Sequence, residues 1–200
     1  MGIVIYGSPH SRTMRVLWMA AELDLSYEHI PYEFNDPRLK SPEFLEINPA
    51  GAIPTIIDGD FSLSESLAIN LYLAKKYGKG FIYPGSVEDE ADAFRWSLFA
   101  QGHIEPWVQK DLLLADLIKA VGTLGNGMVY QSLSVLNRAL AKSDWLVGDA
   151  FTVADLNVAG VLSPSRSSAL ELSRFERVQT WLNACYSRPA AIECRKRFSQ

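Results

Sequence analysis

The sequence predicts a fold in two parts, a mixed α/β half followed by an all-helical half. Three observations predict it. Short apolar runs bounded by turn residues occur only before Gly78. From Val87 onward the apolar residues recur at helical spacing, with no strand pattern of comparable quality. Between the two, the stretch from Gly78 to Ser86 holds three glycines and Pro84, the composition of a linker. The expected boundaries are therefore 1–78 for the first domain, 79–86 for the linker and 87–200 for the helical domain.

Each element follows from its own residues. Ile3-Val4-Ile5-Tyr6 is a buried-type strand ended by the turn Gly7-Ser8-Pro9. From Ser11 or Arg12 to Leu23, the positions Val16, Leu17, Ala20 and Leu23 repeat as one helix face. Tyr27-Glu28-His29-Ile30 alternates as a second strand. Ser41-Pro42-Glu43 opens a helix, with a capping hydroxyl and then proline at the first helical position. Thr55-Ile56-Ile57 and Phe61-Ser62-Leu63 flank Asp58-Gly59-Asp60, a hairpin turn. Leu67, Leu71 and Ala74 carry a helix to Tyr77, stopped by Gly78. The order β-α-β-α-β-β-α is the thioredoxin-like arrangement.

In the second half Ala91, Phe94 and Leu98 form one apolar stripe, Val129, Leu133, Leu136 and Leu140 another, and Phe175, Val178, Trp181, Leu182 and Cys185 a third. Phe151-Thr152-Val153-Ala154-Asp155-Leu156 is a capping box with a hydrophobic staple, which gives Asp155 a structural role. Gly122, Gly125 and Gly127 have neither dinucleotide nor phosphate-loop spacing and are expected to break two helices.

One stretch points to a ligand. Asn48-Pro49-Ala50-Gly51-Ala52-Ile53-Pro54 leads into an apolar strand, leaving Pro54 at its mouth. A cis peptide there turns the N–H and C=O of the preceding residue outward, so an extended peptide pairs with them like another strand. Glu65-Ser66 lies past the hairpin at a helix start, where exposed N–H groups attract a carboxylate. Together these describe a site for a peptide-like ligand with a charged end.

The bulk composition excludes several classes. The formal net charge is −4 and no basic stripe is present, which argues against nucleic acid and anionic membranes as partners. No basic leader or long apolar run appears, and the two cysteines, Cys185 and Cys194, fit a reducing cytoplasm. His10, His29 and His103 lack metal-ligand spacing, so no metal is expected.

A half carrying Asn48-Pro49-x-Gly51-x-Ile53-Pro54 and Glu65-Ser66, joined to a helical half with the Thr152/Asp155 box, resembles the cytosolic glutathione transferases over nearly its whole length. The stretch from His10 to Trp18 is most similar to a bacterial and fungal branch with a serine-containing loop. The resemblance implies glutathione as co-substrate. It implies that Ile53, beside Ala52, pairs its backbone with the cysteinyl part, with Pro54 cis. Glu65 and Ser66 would hold the γ-glutamyl end, and Lys40 would reach the glycyl carboxylate.

Glutathione attacks as the thiolate, so a donor near the sulfur must lower its pKa. The family places that donor between the first strand and first helix, from Ser8 to Thr13 here. Ser11 is the first candidate, Ser8 the second and Tyr6 the third. A pure helix-capping role for Ser11 is the competing reading. The first domain has no cysteine, which disfavours a mixed disulfide between protein and glutathione. The resemblance further implies an apolar electrophile pocket between the domains, with His10, Phe99, His103, Trp107 and Tyr130 as candidates, and a homodimer. No large aromatic occurs in the Asn48–Pro54 loop, so a flat, polar dimer interface is expected. The alternatives are a non-catalytic binding or regulatory protein on the same fold, or a glutathione-dependent isomerase, peroxidase or ether-cleaving enzyme.

Overall fold

Strand β1 (Ile3–Tyr6) lies inside a four-stranded sheet, parallel to β2 (Tyr27–Ile30) on one side and antiparallel to β3 (Thr55–Asp58) on the other. Strand β4 (Phe61–Ser64) pairs antiparallel with β3 and completes the order β2-β1-β3-β4. These strands alternate with α1 (Thr13–Glu22), α2 (Pro42–Ile47) and α3 (Ser66–Tyr77). Among the described residues the helical run includes α4 (Val87–Phe99), α5 (Glu105–Val108), α6 (Thr123–Ala139), α7 (Val153–Leu162), α8 (Glu176–Tyr186) and α9 (Pro189–Phe198). This computed structural model describes residues 2–78, 80, 82–108, 123–164 and 170–198. Two units can be distinguished, Met1–Tyr83 with Arg188–Gln200, and Pro84–Ser187.

The first unit is the thioredoxin-like part. The two-residue period of β1 puts Ile5 opposite Ile56, both fully buried, on the face covered by α1 and α3. Tyr6 points to the other face, where its ring meets Tyr32 and the Phe44 ring from α2. Helix α2 starts as its sequence predicts, the Ser41 side chain accepting from the Phe44 N–H with Pro42 next in line. The last helix, α9, packs on α1 and so belongs with this unit although it is last in the chain.

Several details differ from the sequence reading. Helix α1 begins at Thr13, after Arg12, which makes no side-chain cap. Lys40 ends a short 3-10 helix (Pro37–Lys40), which the sequence reading does not include. Asp58 is the last residue of β3, and the hairpin turn is Gly59-Asp60 alone. The Asp58 side chain points to α3 and accepts hydrogen bonds from Tyr72, Lys76 and Tyr77. Gly78 does cap α3, but in right-handed conformation; a side chain there would lie 2.7 Å from Ile82 Cγ2, so close packing is what requires glycine. Lys79 and Phe81 of the expected linker lie outside the described residues.

In the second unit the stripes on α6 and α8 are core: Val129, Leu133, Leu136 and Leu140, and Phe175, Val178, Trp181, Leu182 and Cys185 are all buried. The stripe on α4 is not, because Phe94 and Leu98 are exposed while Ala93, Trp96 and Ser97 face the core. Helix α6 runs through Gly125 and Gly127, which do not break it; Gly122 lies outside the described residues. Two glycines cost a helix about 1 kcal/mol each, and the buried face of α6 outweighs that. Between α4 and α5 the chain makes π-helical turns over Ala100–Ile104, with the Glu105 N–H bonded back to the Ala100 carbonyl. That wider winding leaves room for Pro106, which cannot donate within a helix.

Candidate functional site

Three segments meet at one end of the sheet of the first unit, and strand register is what gathers them. Tyr6 stands opposite Thr55, and Thr55 opposite Ser64. Gly7 after β1, Pro54 before β3 and Glu65 after β4 therefore leave the sheet at that end, as does the chain after β2, whose Ile30 pairs with Tyr6. Gly7 has φ +130, and a Cβ on it would lie 2.1 Å from Thr13 Oγ1 and 3.0 Å from Ile53 Cβ. Only glycine lets the Ser8–Thr13 loop lie this close to Ile53. The Ile53–Pro54 peptide is cis, as the sequence suggests.

The segment before Pro54 is held by a small polar network. Asn48 is buried; its amide donates to the Ala52 carbonyl and to Thr55 Oγ1, and its oxygen accepts from the Ala50 N–H. Lys40 Nζ donates to the carbonyls of Ala50 and Gly51 at 3.1 and 3.0 Å. An ammonium has three N–H bonds, so one remains for an anion. Gly51, at φ +57, has Leu39 O and Lys40 Nζ where a side chain would stand.

Across from Pro54, Glu65 adopts φ +72 and ψ +108, a conformation that costs a residue other than glycine about 1–3 kcal/mol. Glu65 is exposed and the next residue, Ser66, is buried at the first position of α3. Arg15 of α1, itself only 3% exposed, donates from Nη1 to Ser66 Oγ at 3.2 Å.

The hydroxyls of the first loop are not equivalent. Ser8 is 1% exposed, and its Oγ accepts from the His10 N–H. Ser11 is half-buried; its Oγ donates to the Ser8 carbonyl at 2.7 Å, accepts from the Thr13 N–H at 3.1 Å and shares a 2.8 Å hydrogen bond with Thr13 Oγ1. Burial pushes the Tyr6 phenol above its ordinary value, with Tyr32 and Glu28 adding to the effect. His29 on β2 donates to the Gly7 carbonyl at 2.8 Å and steadies the base of the loop.

Residues 1–75 match the family model of the glutathione S-transferase N-terminal domain, and residues 125–189 that of the C-terminal domain. Glutathione S-transferase 3 of Zea mays is 32% identical, covering 93% of this chain and 90% of the maize protein. This chain belongs to the glutathione S-transferase family. Glutathione S-transferase D7 of Drosophila melanogaster is also 32% identical, over 88% of this chain and 79% of the fly protein. The glutathione S-transferase fold is evident in solved structures too. Ure2p in complex with glutathione superposes with a TM-score of 0.86 at 24% identity, covering 98% of this chain and 93% of its own. Glutathione transferase URE2P8 from Phanerochaete chrysosporium, with oxidized glutathione, gives 0.80 at 26%, covering 100% and 97%.

Of the residues singled out in the sequence of this glutathione S-transferase family member, Ser8, Ser11, Ile53, Pro54, Glu65 and Ser66 fall at the end of the sheet just described, with Ala52 and Lys40 in the supporting loop. His10 is exposed on the first loop. The remaining pocket candidates lie in the second unit. There Phe99 and His103 stack with ring centroids 5.1 Å apart. Trp107 is half-buried on α5. Tyr130 stacks on Phe175, and its hydroxyl accepts from the Glu171 N–H. Sequence reasoning missed Gly7 and Arg15 as parts of the site. Arg15 carried a usable signal, being the lone cation in the otherwise apolar run from Met14 to Ala21. Cys194, placed in the first unit by the return of α9, is buried 3.6 Å from Met14 Sδ, and burial pushes its thiol up to about 12. It stays protonated at neutral pH and is a poor nucleophile.

Proposed function

We propose that this protein binds glutathione where Gly7, Pro54 and Glu65 leave the sheet, and that the bound thiolate attacks small apolar electrophiles. The observation that carries the reading is the register at that end of the sheet: Thr55 pairs with Ser64, so the cis Ile53–Pro54 peptide and Glu65, held at positive φ, flank one paired position on adjacent strands. In this reading Ile53 and Ala52 offer backbone groups to the cysteinyl part. Glu65 takes the γ-glutamyl amine, Ser66 its carboxylate, and the third N–H of Lys40 the glycyl carboxylate. Ser11 is the donor to sulfur. Its Oγ already accepts from the Thr13 N–H, so it can turn its proton from the Ser8 carbonyl to the sulfur without losing that support. His10, Phe99, His103, Trp107 and Tyr130 are the residues we assign to the electrophile. The serine-containing loop, and the likeness to a fungal enzyme at 26% identity, support the bacterial and fungal branch.

A homodimer in the cytoplasm belongs to the same proposal. Val87, Phe94 and Leu98 lie along one side of α4, with Val87 and Leu98 76% and 71% exposed. That stripe favours a more apolar contact than the Asn48–Pro54 loop suggests, and sedimentation gives the stoichiometry. Retention on immobilised glutathione, and calorimetric binding of free glutathione, test the central reading; absence of both defeats it. The alternative of a glutathione-binding protein without chemistry draws on the inward donation of the Ser11 hydroxyl. Turnover of any of a panel of aryl halides, epoxides and peroxides counts against it, and the products separate conjugation from isomerisation, peroxide reduction and ether cleavage.

A further inference from the structure

We infer that Arg15 fixes the polarity of the Ser66 hydroxyl and so makes it a donor to the ligand's carboxylate. The inference rests on the reading that the α3 start holds the γ-glutamyl end of glutathione.

A serine hydroxyl is by itself undirected, because it has one proton and two lone pairs and rotates to suit its neighbours. Arg15 removes that freedom. A guanidinium has only donors, and Arg15 Nη1 lies 3.2 Å from Ser66 Oγ, so the serine oxygen must accept. One lone pair is thereby taken, and the remaining proton is left to point away from the guanidinium. Ser66 sits at the first position of α3, where backbone N–H groups already favour an anion. A carboxylate there receives an O–H whose oxygen is polarised by a cation behind it, a chain from guanidinium through hydroxyl to carboxylate in which each bond strengthens the next. Both residues are 3% exposed, so little water competes for the lone pair. Arg15 does not touch the ligand in this arrangement; it is a positioning residue acting through Ser66.

The consequence is selective. Arg15 should matter for a ligand with a carboxylate at this place and not for one without it. The probe is 4-aminobutyryl-cysteinyl-glycine, which keeps glutathione's amine, thiol and glycyl end and lacks only the γ-glutamyl carboxylate. Calorimetry on the full chain gives the ratio of its dissociation constant to that of glutathione, with thermal unfolding measured alongside. The wild type should prefer glutathione by about tenfold or more, the size of a charge-assisted contact. In Arg15→Met and in Ser66→Ala the ratio should fall towards one, and the double variant should lose no more than either alone. Arg15→Lys, which keeps a cation that only donates, should retain most of the preference. Arg15→Gln, which both donates and accepts, should not.

An unchanged ratio in Ser66→Ala overturns the inference, and so does equal weakening of both ligands in Arg15→Met, which is the mark of a merely structural arginine. If Arg15→Met does not fold, Ser66→Ala and the comparison of Arg15→Lys with Arg15→Gln decide the matter in its place. Failure of the wild type to bind glutathione at all is a different result: it removes the underlying reading, and the inference with it.

Discussion

At the scale of single residues, the site depends on where protons point. Ser11 is the test case, because the proposed reaction requires its hydroxyl to exchange the Ser8 carbonyl for sulfur. A hydrogen bond to a charged partner contributes roughly 1.5–3 kcal/mol, equivalent to about one to two pKa units on the thiol. Ser11→Ala should therefore slow conjugation roughly 10- to 100-fold at neutral pH, change glutathione affinity less, and displace the pH–rate profile upward by about one to two units. A profile that does not move transfers the role to Ser8 or Tyr6. Asp58 gives a second prediction. Burial pushes its carboxyl up, but hydrogen bonds from Lys76, Tyr77 and Tyr72 outweigh that and hold it below the ordinary carboxylate range. A depressed folded value contributes stability that is present above the unfolded pKa and is lost as pH falls through the folded one. Asp58→Asn should cost about 1–2 kcal/mol at neutral pH, and urea unfolding should show the deficit shrinking in acid. A deficit independent of pH would contradict this account. Ser8, Ser11, Glu65 and Ser66 stand out as candidates in the sequence because each lies next to a turn or helix start. The partners that orient them could not: Arg15 meets Ser66 across 51 positions, which no local pattern encodes.

At the scale of elements, the Thr152/Asp155 box shows how far local chemistry reaches. Both halves of the box form as the sequence predicts: the Thr152 side chain accepts from the Asp155 N–H, and the Asp155 side chain accepts from the Thr152 N–H. The same carboxylate also accepts from the Leu146 N–H and from Trp181 Nε1 at 2.8 Å. A cap has thus become a junction between α7, α8 and the segment before them. Thr152→Ala should cost about 1 kcal/mol, as an ordinary cap does. Asp155→Ala should cost about 3 kcal/mol or more, because it leaves several buried donors unmet. Equal losses in denaturant unfolding would mean that the long-range bonds contribute nothing. The box was legible because its spacing is local, whereas the Leu146 and Trp181 contacts arise only when the helices pack. The stripe on α4 makes the same point in reverse: Phe94 and Leu98 have helical spacing, yet Trp96 is the residue that faces the core. Periodicity identifies a helix there without saying which side is covered.

At the scale of the whole molecule, the chain completes its first unit with its last helix. Ala191 and Cys194 on α9 are buried, and the edge of the Phe198 ring meets His29 on β2. Arg188, just before α9, donates from Nε and Nη2 to the two oxygens of Glu22 at 2.8 Å, while Trp18 Nε1 holds the same carboxylate at 2.9 Å. Glu22 is almost fully buried, with a side chain 4% exposed, so removing the guanidinium strands a charge that water cannot reach. None of this was visible in the sequence, because Arg188 meets Glu22 across 166 positions and no local pattern encodes that pairing. Arg188→Met should cost roughly 2–4 kcal/mol, below the full cost of a broken buried pair because Arg188 is itself 30% exposed. A chain ending at Ser187 should lose more, since the apolar face of α1 under Ala191 and Cys194 is uncovered as well. Hydrogen exchange locates the effect: in the truncated protein the amides of α1 and β1 should lose protection, and a peptide spanning 186–200 added in excess should restore part of it. Full protection of α1 in the truncated chain would show that α9 rests on a unit already complete without it.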